Sequence, residues 1–192
     1  TDTNASLQPF STLAAFLAGI RIVMVNTTLP ANIGSAARAM HTMGLTQLTV
    51  VAPKLPIDED AYAHAAGAKA ILDAVTICDT LEQALQDCHW VIATSSRQRH
   101  IPRPVLSPRQ AAELMVTNFH SLGDLMTDSA HRNWQLAIVF GREDRGLTNE
   151  ELQLADYHIQ IPANPQYGVL NVAAAVQVIA SVFYETAELA LT

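Results

Sequence analysis

The apolar run Leu136-Ala137-Ile138-Val139-Phe140 stops at Gly141 and gives way to four consecutive charges, Arg142-Glu143-Asp144-Arg145, before Gly146. A short apolar run closed by glycine reads as a strand entering a polar loop. A second run, Tyr157 to Ile161, meets Pro162, Asn164, Pro165 and Gly168 before a long alanine- and valine-rich helix begins. Two such units so close together favour a sheet whose strands are joined through helices.

The upstream chain repeats the alternation. Strands are expected at Arg21 to Asn26, Gln47 to Ala52, Val75 to Cys78, Trp90 to Thr94 and Gln135 to Phe140. Between them fall a helix capped by Asn32 and closed by Gly44, one from Asp58 to Asp73 interrupted at Gly67, and one from Thr80 to Asp87. Gln110 to Met126 reads as an amphipathic helix and Ser129 to Asn133 as a polar connection. Thr148 and Glu151 have the spacing of a capping box, and Leu170 to Leu191 forms the last helix. Strand and helix alternating at this spacing predict an α/β fold with a mostly parallel sheet. Thr1 to Gln8 is polar and set outside the fold, Phe10 to Ala18 is a short helix, and the boundary of the folded domain is placed between residues 20 and 21.

A length of 192 residues suits one domain, and 49% hydrophobic against 15% charged residues calls for a large buried or intersubunit surface. The longest apolar stretches, Phe10 to Ile20 and Val172 to Phe183, fall short of the roughly 20 residues that cross a bilayer. No membrane span is expected. Cys78 and Cys88 are too few for a disulfide framework and fit no zinc spacing, which suits reduced thiols in the cytoplasm and no metal site. The net charge of −7 argues against a generally basic surface, yet nine of the eleven basic residues are arginine. Arg38, Arg97, Arg99, Arg103, Arg142 and Arg145 lie in or beside the candidate loops, where a guanidinium fork suits phosphate.

Ligands of parallel sheets sit beyond the carboxyl ends of the strands. The segment Thr94-Ser95-Ser96-Arg97-Gln98-Arg99 lies at such an end, with Arg103 and Arg109 continuing the positive run. Arg38 points away from the apolar stripe of Ile33, Ala37 and Met40, near a helix amino terminus. His64 has neither a metal-ligand pair nor a nucleophile beside it and reads as structural or surface. Asn171 is either a helix cap or a site residue. Glu151 has a capping role, whereas the sequence offers no structural role for Glu143.

Asn32-x-Gly34-x-x-x-Arg38, then Phe140 to Leu147, then Ile161-Pro162 through Leu170-Asn171-Val172 resemble the three motifs of the SPOUT ribose 2′-O-methyltransferases. The Thr94 to Arg99 segment is most similar to the TrmJ branch, which methylates position 32 of the tRNA anticodon loop. The resemblance covers about Arg21 to Glu185. It implies an α/β sheet with a deep trefoil knot toward its carboxyl terminus, S-adenosylmethionine as cofactor, tRNA as partner and a homodimer. It places the cofactor at Thr94, Ser95, Ser96, Gly141, Ile161, Gly168, Val169 and Leu170, largely through backbone groups. It makes Arg38, Asn171 and Glu143 the catalytic set and leaves Arg97, Arg99 and Arg142 as candidate RNA contacts. One departure stands out: the family usually has serine before Leu-Asn of the third motif, and this chain has Val169. The resembling proteins usually continue into an extension that helps to hold tRNA.

Three other readings stay open: the same chemistry on ribosomal RNA or a wobble nucleotide, a non-catalytic RNA- or nucleotide-binding module, and, least favoured, a hydrolase using Glu143 and Asp144.

Overall fold

The computed structural model describes residues 12–95, 103–125 and 134–192. Its strands are β1 (Ile20–Val25), β2 (Gln47–Val51), β3 (Thr76–Cys78), β4 (Trp90–Thr94), β5 (Val105–Leu106), β6 (Leu136–Phe140) and β7 (Tyr157–Ile159). They form a sheet in the order β3-β2-β1-β6-β4-β7-β5, and each pairing is parallel. The helices are α1 (Thr12–Ala18), α2 (Pro30–Thr42), α3 (Glu59–Ala65), α4 (Lys69–Asp73), α5 (Leu81–Ala84), α6 (Pro108–Leu125), α7 (Asn149–Gln153) and α8 (Val172–Leu191). A 3-10 turn, Ala66–Ala68, separates α3 from α4 where the sequence has Gly67.

Successive side chains of a strand point to opposite faces, and the two faces are covered unequally. Ile22, Met24, Ile92, Leu136, Ile138 and Phe140 face the larger layer, where they meet Phe16 of α1, Met40 of α2, Phe119 of α6 and Phe183 of α8. Val23, Val25, Val91, Ala93, Ala137 and Val139 face a thinner layer that includes Leu81 and Ala84 of α5 and Leu152 of α7. The central strand β6 is buried throughout, so it needs apolar residues at every position.

One expectation changes. Phe16 is fully buried and Leu17 nearly so, and Thr12 Oγ1 donates to Leu191 O at 2.6 Å. Helix α1 therefore closes the larger core, and the boundary between residues 20 and 21 cuts through packed structure. Helix α8 agrees with the expected last helix to within two residues at its start; its twenty residues have a mean hydropathy of 1.3, long and apolar enough by composition to cross a membrane. Val176, Ile179, Phe183, Ala187 and Leu191 instead lie in the core, where α8 packs on α1, α2 and α6.

Helix α2 starts at Pro30, whose fixed φ and missing N–H suit the first turn. Asn32 is thus inside that turn, and Leu29 stands at the cap position with no side-chain cap of its own. Further along α2, a Cβ on Gly34 would lie 1.9 Å from Ala61 O of α3. The two helices touch backbone to backbone there.

Candidate active site

Parallel strands bring their carboxyl ends to one edge of the sheet. Strands β6, β4 and β7 are neighbours, so Gly141, Thr94 and the segment leading to Ile161 lie along the same stretch of that edge. Beside β6 runs β1, whose end leads through residues 26–29 into α2.

The loop after β6 closes tightly on itself. Arg142 N donates to Gly146 O at 3.2 Å and Gly146 N to Arg142 O at 3.0 Å. Gly146 has φ of +67°, and a Cβ on Gly141 would sit 2.3 Å from Gly146 C. Both glycines are needed for the turn, one for its left-handed backbone and one for close approach. The turn projects Arg142 and Glu143 toward different partners.

Glu143 does have a structural role. Its carboxylate accepts from Thr28 N at 2.9 Å, Leu29 N at 2.9 Å and Asn32 Nδ2 at 3.1 Å. A carboxylate from another loop thus caps α2, in place of the Asn32 cap expected from sequence, at the end where orphan N–H groups and the helix dipole favour negative charge. Burial pushes the Glu143 carboxyl up, but the Thr28, Leu29 and Asn32 hydrogen bonds outweigh it and hold the carboxyl below its ordinary value.

From Glu143 a hydrogen-bond chain continues through both amides. Asn32 gives its Nδ2 to the carboxylate and turns Oδ1 to Asn171 Nδ2, 3.0 Å away. Asn171 turns its own Oδ1 to Ala173 N at 2.9 Å, capping α8. An ionised carboxylate only accepts, so Glu143 fixes the orientation of both amides. The two readings of Asn171, cap and site residue, are therefore compatible. The sequence missed the connecting role of Asn32; its place in the first motif, inside a helical turn, was the available signal.

The remaining expected residues divide by place. Arg38 is exposed on α2. Thr94 Oγ1 donates to Val139 O at 3.0 Å and Ser95 N to Ile159 O at 3.0 Å, tying the ends of β4, β6 and β7 together. The Ser95 hydroxyl is buried with no hydrogen-bond partner among the described residues. Ile161 is half-buried, Gly168 is exposed, and Val169 and Leu170 are 83% and 39% exposed. Ser96, Arg97 and Arg99 lie outside the described residues.

Arg142, expected from sequence as a candidate RNA contact, has partners inside the protein. Its guanidinium meets Glu151 Oε1 at 2.7 Å, Gly146 O at 3.2 Å and the Asn26 side chain. Of the outer arginines, Arg103 donates to Gln153 O at 3.3 Å, and Arg109 and Arg145 pair with Glu113 and Asp144 on the surface. Such exposed pairs contribute little to stability. His64 Nδ1 lies 2.8 Å from Asp60 O on an exposed face, in keeping with its surface reading. Among the described residues no three His, Cys, Asp or Glu side chains gather as metal ligands.

The depressed Glu143 carboxyl has a sign that can be measured. Its stabilising contribution is complete above the unfolded value of about 4.3 and is lost as pH falls through the lower folded value. Thermal unfolding followed by circular dichroism below about pH 4.3 should show a steeper acid loss in the parent chain than in Glu143→Gln. Equal slopes would remove the capping role.

Residues 19–181 match the SpoU rRNA methylase family, and the chain belongs to that family. It is 49% identical over 160 residues to the tRNA (cytidine/uridine/adenosine-2′-O-)-methyltransferase TrmJ of Pseudomonas aeruginosa, covering 83% of this chain and 58% of that protein. It is 48% identical over 164 residues to the tRNA (cytidine/uridine-2′-O-)-methyltransferase TrmJ of Escherichia coli, covering 85% and 62% respectively. The crystal structure of a probable methyltransferase from Bordetella pertussis Tohama I superposes with a TM-score of 0.80 at 36% identity, covering 91% of this chain and 99% of that one. The chain thus spans about three fifths of the length of the two TrmJ relatives.

Proposed function

We propose that the chain transfers a methyl group from S-adenosylmethionine to the 2′-oxygen of a ribose in tRNA, at the cytidine or uridine of position 32 in the anticodon loop. The observation that carries this reading is the Asn171–Asn32–Glu143 hydrogen-bond chain. It gathers all three motif segments at one edge of the sheet and anchors the helix that carries Arg38. The names of the two TrmJ relatives agree with it.

The residues at that edge fit the cofactor. A buried Ser95 hydroxyl without a described partner lies at the end of β4, and exposed Val169 and Leu170 offer apolar surface in the loop after β7. Thr94 to Ser96, Gly141, Ile161 and Gly168 to Leu170 would hold the molecule. When bound, it supplies a methyl group on a sulfonium, open to in-line displacement by an oxygen.

The chain's own part is positioning and charge. Arg38 is protonated at any ordinary pH and so is no proton acceptor; it holds the phosphate beside the target ribose and stabilises the alkoxide that develops there. Glu143 already accepts hydrogen bonds from three groups, so it orders the site and does not act as base. As the ribose oxygen takes the methyl group, its proton passes to solvent water and the cofactor is left as the neutral thioether. Asn171 keeps its second Nδ2 hydrogen for the ligand. Val169 replaces the usual family serine and supplies no hydroxyl, so the backbone carries that stretch of the cofactor loop.

A homodimer, a deep trefoil knot toward the carboxyl terminus and a cytoplasmic setting complete the proposal. Exposed Tyr167, Val169, Leu170, Val178 and Leu189 support an apolar intersubunit surface. The insertion of β7 between β4 and β5 suits the knot, and two free cysteines suit a reducing compartment. Arg97 and Arg99 are proposed RNA contacts, with the two subunits together forming a positive cleft in an otherwise acidic chain.

Methylation of unmodified tRNA with radiolabelled cofactor tests the reading, using tRNA with a 2′-deoxy residue at position 32 as control. Label is expected in the first and absent from the second. Label retained in the 2′-deoxy tRNA would move the target to another nucleotide. Cofactor binding without transfer to any RNA would leave a non-catalytic module.

A further inference from the structure

Arg142 and Glu143 are consecutive, and both grip the segment that joins β1 to α2. Glu143 takes the N–H groups of Thr28 and Leu29, while Arg142 Nη2 donates to Asn26 Oδ1. Asn26 is held from its other side as well: its backbone has φ of +50°, and its Nδ2 donates to Ala52 O at the end of β2, 2.9 Å away. The same guanidinium donates twice to Glu151, at 2.7 and 3.2 Å, and to Gly146 O at 3.2 Å. Glu151 in turn closes the first turn of α7, accepting from Thr148 N at 2.7 Å. The Arg142 and Glu151 side chains are only 17% and 16% exposed. A guanidinium with four internal acceptor contacts and so little exposed surface has little left to offer an RNA phosphate.

We infer that Arg142 is a positioning residue for methyl transfer, which fixes where α2 begins by clamping Asn26, Gly146 and Glu151 while Glu143 holds Thr28 and Leu29. This rests on the methyltransferase reading for its effect on turnover, but not for its effect on the β1–α2 junction. Helix α2 carries both Asn32 and Arg38, so a loosened junction moves the chain of amides and the guanidinium together. Small misplacement of a reacting group lowers turnover without removing any contact to substrate.

The test compares Arg142→Gln, Arg142→Lys and Glu151→Gln with the parent chain. Arg142→Gln should lower kcat about 10- to 100-fold while the Kd for tRNA and its salt slope stay unchanged. Hydrogen exchange at the Thr28 and Leu29 amides should quicken at least about 10-fold as their carboxylate partner loosens. Lysine can still pair with Glu151 but cannot span Asn26 and Gly146 as well, so Arg142→Lys should recover only part of both losses. If Arg142→Gln fails to fold, Glu151→Gln carries the same test, because it weakens the same clamp from the other side.

Weakened tRNA binding with a salt slope reduced by about one contact and kcat retained would make Arg142 an RNA contact and overturn the inference. Unchanged exchange at Thr28 and Leu29 in the folded variants would also overturn it, whatever the turnover. A parent chain that transfers no methyl group would remove the proposed function alone, since the exchange measurement still decides the clamp.

Discussion

Replacing Arg38 with alanine is expected to lower methyl transfer to tRNA by about 100- to 1000-fold, the range for loss of one preorganised donor to a developing oxyanion. The fold should survive, because Arg38 is exposed on α2, and surface substitutions of this kind change stability little. Arg38→Lys keeps the charge and loses the planar fork, so it should stay well below the parent rate. Single-turnover transfer of labelled methyl, with circular dichroism to verify the fold, measures both. Full turnover in Arg38→Lys would end the argument that a two-pronged hold on phosphate and alkoxide matters, leaving charge alone as its contribution.

Gly34→Ala should damage the molecule from the opposite direction, through the fold. The added Cβ would fall 1.9 Å from Ala61 O and 2.8 Å from Ala61 C. Those are backbone atoms, which cannot swing aside as a side chain can, so α2 must move away from α3. Overpacking of this kind costs about 1–3 kcal/mol, and at this chain length each kcal/mol lowers Tm by about 2–4 °C. Gly34 lies two residues from Asn32 and one turn from Arg38, so the displacement also disturbs the site. Activity should fall even at temperatures where the variant is folded. Thermal melts together with transfer rates well below Tm provide the check, and a variant with parental Tm and rate would contradict the backbone contact.

How far the sequence could be read depended on the kind of interaction. β6 was legible because a strand buried on both faces needs apolar residues at every position, and Leu136 to Phe140 supplies them. The helix at Thr148 was legible because a capping box is a local pattern, and both of its hydrogen bonds form. Gly141 and Gly146 marked a turn for the same reason. Asn32 has the chemistry of a cap for α2, but the capping carboxylate comes from Glu143, 111 residues away. The charged loop marks Arg142 as a candidate phosphate ligand; the internal acceptors it meets come from its own turn at Gly146, the end of β1 and the first turn of α7, and only the first of these is local.

The amino-acid sequence determined the alternation of strand and helix, the tight turns at glycine and the presence of three motif segments, because these follow from local backbone preference and apolar periodicity. Tertiary structure alone decided the packing of α1 into the core, the backbone contact at Gly34 and the partners of Glu143, Asn32, Asn171 and Arg142. The contacts that decide the site, Glu143 with Thr28, Arg142 with Asn26 and Asn171 with Asn32, join groups more than a hundred residues apart in the chain. Which donor meets which acceptor is set by the order β2-β1-β6-β4-β7 and the edge at which those strands end, a property of the assembled sheet that no local segment carries.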